Sequence, residues 1–493
     1  MDAALVLTPA WHRDTPPLST GYLAAVLRDA GFTAKTFDLN MEVEESTSSR
    51  LPLPYLEGRF MSYLHPEFFE PEDDDARLHG TSESLCERWC GRILDDDPNV
   101  IGFSTYYNTL LTSLMLAKKI REEDDSRIIV FGGPEADRHN NGRFIAHTGW
   151  VDYTVPQEGE LILPEIVGKA RSGFNAGPIA GTIVNQDGKV VDFGDGPIPL
   201  DLDSLPYPDF SDNPVEGYRI SPMTPIVSSR GCVGRCVFCG ERPFFRCFRQ
   251  RSVEDVVCEM EHQVDAHDVC VFHFNDSMMN ADQQYLSRLC TGIIDSGLDV
   301  AWGGNARADK LDSDMITSMY DSGCRFLLYG IESGSQRVLG SMKKDISIVD
   351  AEKVLEKTHD SGIFTHTYMI TGFPTETNED FEESMLFLER NKKYIDSAQA
   401  NGFYMPLNSD MMREHEKYGI GFHEDRLEYP RELEQYARYF RSPHPNWSVS
   451  GYESTTESRS NRYWKMAEYI KENFLQELQL RNFRKSLMRM GGR

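Results

Sequence analysis

No stretch of this sequence reaches the roughly 18 consecutive apolar residues that a membrane-spanning helix requires. The opening residues, MDAALVLTPAWHRDTPP, carry no basic region ahead of their short apolar run and no small-residue cleavage site. These absences predict a soluble, cytoplasmic protein with no membrane partner. Positive charge is also scarce: 51 Lys and Arg against 78 Asp and Glu give a formal net charge of −27. A surface of that sign repels a phosphate backbone, which excludes a nucleic-acid partner. No internal repeat is visible, so a solenoid is not expected. The ten cysteines form no second CxxC pair, and in a reducing compartment they do not read as a disulfide framework.

The 493 residues suffice for two or three domains, each with its own core. The excess acid lies in runs, Glu70 to Asp75, Asp95 to Asp97 and Glu122 to Asp125, which read as solvated loops and helix ends. The tail reverses sign with Arg481, Arg484, Lys485, Arg489 and Arg493, the pattern of an exposed amphipathic helix. Cys86 and Cys90 lie one helical turn apart in a polar segment. Cys247, Cys258, Cys270, Cys290 and Cys324 stand singly and are expected to act as small core residues.

Up to about residue 165 the pattern alternates strand and helix, as in an open, doubly wound α/β sheet of Rossmann-like type. Strands are expected at Ala4–Leu7, from Phe37, at Val100–Phe103, Arg127–Phe131 and Val151–Val155. Helices are expected at Leu18–Ala30, where Gly31 supplies the stop, at Leu110–Ile120 and after Gly159. Ligands of such sheets sit beyond the carboxyl ends of the strands. Residues 166–220, rich in Gly, Pro and Asp, read as a linker. A second β/α series spans 221–410, with strands near Ile226–Ser228, Val269–Phe274, Val300–Trp302, Phe326–Tyr329, Thr365–Ile370 and Ala398–Tyr404. Six parallel strands with helices outside predict a partial (β/α)6 barrel. Residues 411–493 read as mainly helical, with a loop at Arg441–Asn446 and a role in capping the barrel mouth.

Directly after the first strand of that series, Ser229-Arg-Gly-Cys-Val-Gly-Arg-Cys-Val-Phe-Cys-Gly240 places Cys232, Cys236 and Cys239 within eight residues. A structural zinc site wants four ligands, and His262 and His267 lie too far along a helix to complete one. A 4Fe–4S cluster can take three thiolates from one loop and keep one iron open. The spacing CxxxCxxC at this position, with Phe238 before the last cysteine, resembles the radical S-adenosylmethionine (radical SAM) family.

That resemblance implies SAM-binding residues at later strand ends. Asn275 and Asp276 would accept from the SAM ammonium, Arg307 would fork onto its carboxylate, Glu332 would bind ribose hydroxyls, and Gly372, in Gly-Phe-Pro-Thr-Glu376, would receive adenine. One departure stands out: the sixth strand leads into Tyr404-Met-Pro-Leu-Asn-Ser-Asp410, where relatives often continue Pro-Gly-Thr. In such barrels that loop faces the substrate.

A doubly wound domain ahead of the barrel is similar to the cobalamin-binding domain of the cobalamin-dependent radical SAM enzymes. The residues carrying the likeness are Thr15, Pro16 and Leu18; Ser104, Tyr106 and Tyr107; Gly132, Gly133 and Pro134; and Glu158 in Gln-Glu-Gly159. Cobalamin proteins with a histidine-ligated cobalt use DxHxxG after the first strand. Here Asp14 is followed by Thr15 and Pro16, and His12 reads as a surface residue. Tyr106 or Tyr107, at a strand end, would cover the lower corrin face or stand as an ordinary buried tyrosine. A methylthiotransferase would need three further cysteines in this first domain, which offers only Cys86 and Cys90.

The resemblance implies a methyltransferase using a 4Fe–4S cluster, SAM and cobalamin. A 5′-deoxyadenosyl radical would take hydrogen from a carbon centre of a small-molecule or peptide intermediate, of the antibiotic-biosynthesis type, which then receives methyl. An external electron donor such as flavodoxin or ferredoxin is implied as well. Cyclisation, rearrangement or oxidation without methyl transfer is the alternative outcome. A non-catalytic iron–sulfur or zinc redox sensor is the rival class, and the SAM residues in register count against it.

Overall fold

The structure, a computed structural model, describes residues 1–9, 11–42, 75–173, 177–423, 447–452 and 454–474. The acidic run at 70–74, the loop at 441–446 and the basic tail lie outside them. The described residues fall into two compact units, one through Pro214 and one from Val215.

The first unit is built on β1 (Ala3–Leu7), β2 (Ala34–Asp38), β3 (Val100–Ser104), β4 (Ile128–Gly132) and β5 (Tyr153–Thr154), all parallel. Their spatial order, β2-β1-β3-β4-β5, reverses direction between β1 and β3. Alternation along each strand explains the two helical layers. Ala4, Val6, Ile101, Phe103, Ile129 and Phe131 pack with Trp89 and Leu114, from α2 (Asp75–Asp95) and α3 (Leu110–Glu123). Ala3, Leu5, Val100, Ile128 and Val130 face the other way, toward Leu27 and Ile166. Those two sit on α1 (Leu18–Asp29) and, after the short α4 (Gly142–His147), on α5 (Leu163–Arg171). Each such apolar side chain taken from water contributes roughly 1.5–3 kcal/mol, so the strands read as near-continuous apolar runs.

Differences from expectation have local causes. Strand β2 begins at Ala34 rather than Phe37, its polar start half exposed near the sheet edge. The helix at Asp75–Asp95 lies in a polar stretch that gives little periodic signal, and Cys90 is buried in its core-facing side. The segment read as a linker supplies an antiparallel hairpin, β6 (Ile183–Gln186) and β7 (Lys189–Asp192), which extends the sheet beyond β5. Asp95 and Glu123 do end helices, as the acidic runs suggested.

The second unit is a six-stranded parallel sheet in sequential order, from β8 (Met223–Ile226) through β11 (Val271–Phe274), β12 (Ala301–Ala306), β13 (Cys324–Glu332) and β14 (Phe364–Thr371) to β15 (Ser397–Gly402). Two short strands, β9 (Ser229–Arg230) and β10 (Arg249–Gln250), form a separate pair between β8 and β11 in the chain. Phe272, Phe274, Trp302, Leu327, Tyr329 and Met369 pack outward beneath the helices. Met223, Val271, Phe326, Leu328 and Phe364 form a separate inner cluster. An apolar set on each face of a sequential parallel sheet is the packing of a partial barrel. Side-chain caps mark the helix starts, Ser252 on Asp255 N–H, Asp312 on Met315 N–H at 2.8 Å, and Thr377 in a reciprocal box with Asp380. Each cap contributes about 1 kcal/mol.

Beyond Asp410 the chain is not purely helical. Ile420–Phe422 pairs antiparallel with Trp447–Val449 before the helix Thr456–Asn473. Two of the single cysteines also depart from expectation: Cys247 and Cys258 are exposed, whereas Cys290 and Cys324 are buried. Cys258 occupies the outer side of its helix, between the buried Val257 and Met260 positions. No described helix is long and apolar enough to cross a membrane.

Candidate functional site

The cysteine loop hangs from a two-residue neck. Ser229–Arg230 pairs antiparallel with Arg249–Gln250, so the chain leaves and returns at one point. Gly231 follows the neck with φ of 81°, and a β-carbon there would lie 2.6 Å from the Cys247 carbonyl oxygen. Only glycine fits that approach. Val237, between the second and third cysteines, is wholly buried with Met342, Phe373, Met405 and Met411, and Phe238 packs beside them. The Val237 N–H donates to the Met342 carbonyl at 3.0 Å, and its own carbonyl accepts the Met411 N–H at 2.8 Å. The loop is therefore fixed at its middle as well as its neck.

Its three thiols sit partly exposed. The Gly234 N–H donates to Cys232 Sγ at 3.3 Å, the kind of bond that supports a thiolate. Burial pushes the Cys239 thiol up to about 12 and raises Cys236, while Lys344 pulls Cys236 back down. Asn408, in the segment that departs from the expected Pro-Gly-Thr, donates from Nδ2 to the Gly240 carbonyl at 3.2 Å. A β-carbon on Gly240 would lie 2.7 Å from Asn408 Oδ1. That segment thus braces the cysteine loop, a contact the sequence did not signal.

The expected SAM residues end successive strands of this unit. Asn275 is exposed just past β11, and its N–H donates to the Ile226 carbonyl at 2.7 Å. Asp276 differs from expectation. It is wholly buried, with Oδ2 accepting the Ser228 N–H at 3.0 Å and Oδ1 accepting the Ser228 hydroxyl at 2.7 Å and the Ser229 hydroxyl. A carboxylate so occupied ties the second strand end to the neck of the cysteine loop rather than facing an ammonium.

Arg307 lies after β12 and already forks onto Asp309, Nε to Oδ1 at 2.9 Å and Nη2 to Oδ2 at 2.6 Å. Its Nη2 also donates to the Asp345 carbonyl at 2.9 Å. The Arg307 guanidinium is held above its ordinary value; burial opposes this, and the Asp309 bond and charge outweigh it. Glu332 ends β13 at a register shift, with φ of 70°. That left-handed backbone costs a non-glycine residue roughly 1–2 kcal/mol and, with the bulge, turns the side chain off the strand's regular alternation. Its Oε1 accepts from Lys344 Nζ at 2.7 Å. Gly372, at φ of 79°, donates its N–H to Glu376 Oε2 at 2.8 Å. Glu376 is buried against Arg462 of the last described helix, Nη1 to Oε2 at 3.2 Å. Burial pushes the Glu376 carboxyl up to about 7.

In the first unit, the loops after β1, β3 and β4 meet at the point where strand order reverses. Ser104 Oγ donates to Ser19 Oγ at 3.0 Å, and Trp11 stacks on Tyr106 with ring centroids 4.0 Å apart. Thr105 joins β3 to β4, its N–H donating to the Gly132 carbonyl at 2.7 Å. A β-carbon on Gly133, φ 94°, would lie 2.5 Å from the Thr105 carbonyl oxygen. Gly132 differs: among the described residues a β-carbon there meets nothing within 4 Å, so they leave space open at the end of β4. Thr15 and Pro16 are buried, Leu18 opens α1 partly buried, Tyr107 is partly buried, and Pro134 follows the glycine pair. Glu158 is buried after β5, where its neighbour Gln157 bonds Gly196 and Pro197. His12 is exposed. Trp11 was missed because a lone tryptophan in a Pro-rich loop carries no motif.

Glu135, next to this crevice, is buried with Asn141 Nδ2 donating to it at 2.7 Å. Burial pushes its carboxyl up to about 7 from 4.5, and Asp137 adds to the rise. An acid with a raised folded value loses stability as pH climbs from 4.5 to 7, because the folded state must give up a proton it prefers to keep. We expect Glu135→Gln to flatten that window, with a gain of a few kcal/mol at pH 8, read from urea midpoints across pH.

Residues 226–388 match the Radical SAM superfamily. This is a radical SAM domain. It spans the cysteine loop and the four middle strands of the barrel. Sequence relatives extend the likeness. An uncharacterised methyltransferase of Pyrococcus horikoshii is 27% identical over 335 residues, 66% of this chain and 72% of its own. The anaerobic magnesium-protoporphyrin IX monomethyl ester cyclase of Rubrivivax gelatinosus is 26% identical over 320 residues, 63% of this chain and 57% of its own. This chain therefore aligns with little more than half of the cyclase. The radical SAM methyltransferase TsrM of Kitasatospora setae, solved with cobalamin and a [4Fe-4S] cluster, shares the fold at a TM-score of 0.68 and 16% identity, over 97% of this chain and 89% of that one. The radical SAM fold and the α/β unit before it are thus those of a known architecture.

Proposed function

We propose that the protein is a cobalamin-dependent radical SAM methyltransferase acting on a carbon centre of a small-molecule or peptide intermediate. The observation that carries this reading is the braced three-cysteine loop at the head of a sequential β/α barrel, in a chain that also holds a β2-β1-β3-β4-β5 sheet with space left open by the described residues at the end of β4. Cys232, Cys236 and Cys239 fit a three-thiolate cluster: the loop is preformed, one sulfur receives an N–H, and a buried cation stands close by. The carboxyl ends of these strands suit a corrinoid, the described residues leaving space open at Gly132. When bound, the cluster supplies the electron that cleaves SAM to a 5′-deoxyadenosyl radical, and the corrinoid supplies methyl.

The chain's own part is to bind and orient. Asn275 would accept from the SAM ammonium, Arg307 would share its guanidinium between Asp309 and the SAM carboxylate, Glu332 would take the ribose, and the Gly372 turn would receive adenine. Phe238 would shield the cluster from water. Thr15, Pro16, Leu18, Ser104, Tyr106, Tyr107, Gly132, Gly133, Pro134 and Glu158 would line the corrinoid crevice. An external donor such as flavodoxin or ferredoxin would provide the electron.

The likeness to the cyclase supports a second reading, cyclisation or oxidation without methyl transfer. Product mass separates the two, a gain of one CH₂ or none, in an anaerobic assay of SAM consumption on candidate substrates. Supplied with hydroxocobalamin, the protein should retain about one corrinoid per chain. Its cob(II)alamin should give an electron paramagnetic resonance spectrum without nitrogen superhyperfine splitting, because no histidine follows Asp14 in the DxHxxG register. A nitrogen-split spectrum would overturn that assignment.

A further inference from the structure

Lys344 belongs to no motif and reads in the sequence as one more solvated charge in Met-Lys-Lys-Asp345. In the fold it is 7% exposed, and its Nζ donates to Glu332 Oε1 at 2.7 Å. The short segment that carries it reaches three separate parts of the site. The Met342 carbonyl accepts the N–H of Val237 in the cysteine loop at 3.0 Å, and the Asp345 carbonyl accepts Arg307 Nη2 at 2.9 Å. Lys343 and Asp345 both stand in the left-handed region, at φ of 52° and 54°, as does Glu332 at 70°. Three non-glycine residues therefore hold an unfavourable backbone around one ion pair. Gly330 leaves room for it, since a β-carbon there would lie 2.5 Å from Glu332 Oε1 and 2.8 Å from Lys344 Nζ. No described hydrogen bond uses Glu332 Oε2, and the same ammonium lies within electrostatic reach of Cys236 and Cys239.

We propose that Lys344 is a positioning residue of the SAM site: it occupies one oxygen of Glu332 so that the other faces the SAM ribose, and it sets a fixed positive charge beside the cluster thiolates. This rests on the radical SAM reading above. Without the lysine, the Glu332 carboxylate would be a partly buried lone charge, free to turn. With it, the carboxylate is aimed before SAM arrives, and reduction of the cluster is favoured by a nearby cation.

The test compares wild type, Lys344→Met, Glu332→Gln and the double variant, each loaded with iron and sulfide and checked for cluster content by absorbance. Lys344→Met should weaken SAM binding by at least about tenfold, the scale of one charge-assisted bond lost. The double variant should bind no more weakly than the worse single one, because both changes break the same contact. The cluster's midpoint potential without SAM should move negative in Lys344→Met and positive in Glu332→Gln, because both charges lie within electrostatic reach of Cys236. A merely structural lysine would leave that potential unmoved. If Lys344→Met does not fold, Lys344→Gln, which keeps a donor without the charge, should retain more SAM affinity than potential. Unchanged SAM affinity and potential in a folded, cluster-replete Lys344 variant would overturn the proposal. Additive losses in the double variant would overturn the route through Glu332. Failure of the cluster-replete wild type to bind SAM would sink the functional reading itself, a result distinguishable from the others.

Discussion

Alanine at Cys232, Cys236 or Cys239 will abolish the iron–sulfur absorbance or leave a cluster unable to cleave SAM. Three thiolates are the whole protein anchorage when the fourth iron must stay open, so losing one leaves nothing to substitute. The braced loop sharpens the expectation. With Val237 pinned on both its N–H and its carbonyl, the remaining thiols cannot shift to share the load. Cys247→Ala and Cys258→Ala should retain full iron, since both side chains are exposed. Cys324→Ala should also retain iron while losing about 1–2 kcal/mol of stability from its buried site. Iron and sulfide content per chain decides the matter, and equal loss across both sets would refute the cluster assignment.

The second large effect concerns Asp276. Asp276→Ala strands the Ser228 N–H and two serine hydroxyls in a site with no water access, a loss of about 3 kcal/mol or more. The damage falls three residues from Cys232, so cluster retention should collapse along with the melting temperature. Asp276→Asn behaves differently. Its carbonyl oxygen can keep the Ser228 N–H while the hydroxyls turn to accept from the amide, so most of the iron should remain. If Asp276 instead bound the SAM ammonium, both variants would keep iron and fold normally but lose SAM affinity. Iron content against SAM affinity in the same two variants separates these outcomes.

Strand positions and the cysteine loop were legible because their signals are local. Apolar runs such as Val100–Phe103 and Ile128–Phe131 are short, unbroken and bounded by turn residues, and three cysteines in eight residues need no tertiary information. The helix at Asp75–Asp95 and the hairpin at Ile183–Asp192 were not legible, the first for lack of apolar periodicity and the second because Gly, Pro and Asp flank it on both sides. The polar partnerships were hidden for another reason. Glu376 meets Arg462 across 86 residues, and Lys344 meets Glu332 across 12, on different elements. Charge alone does not say which cation a strand-end carboxylate will find. Asp276 shows the converse: its position at a strand end was right, but only the fold reveals that two serines already fill it.

Val237 carries a further consequence for assembly. In many small metal-binding domains the ligands come together only as the metal arrives, so the ion must organise the chain and affinity is spent on folding. Here one buried valine, hydrogen-bonded to two distant segments, orders the loop in advance through ordinary core packing. If the three cysteines hold a cluster, its insertion would be a docking event on a finished scaffold, and the chain could be made, stored and loaded with iron and sulfide as separate steps.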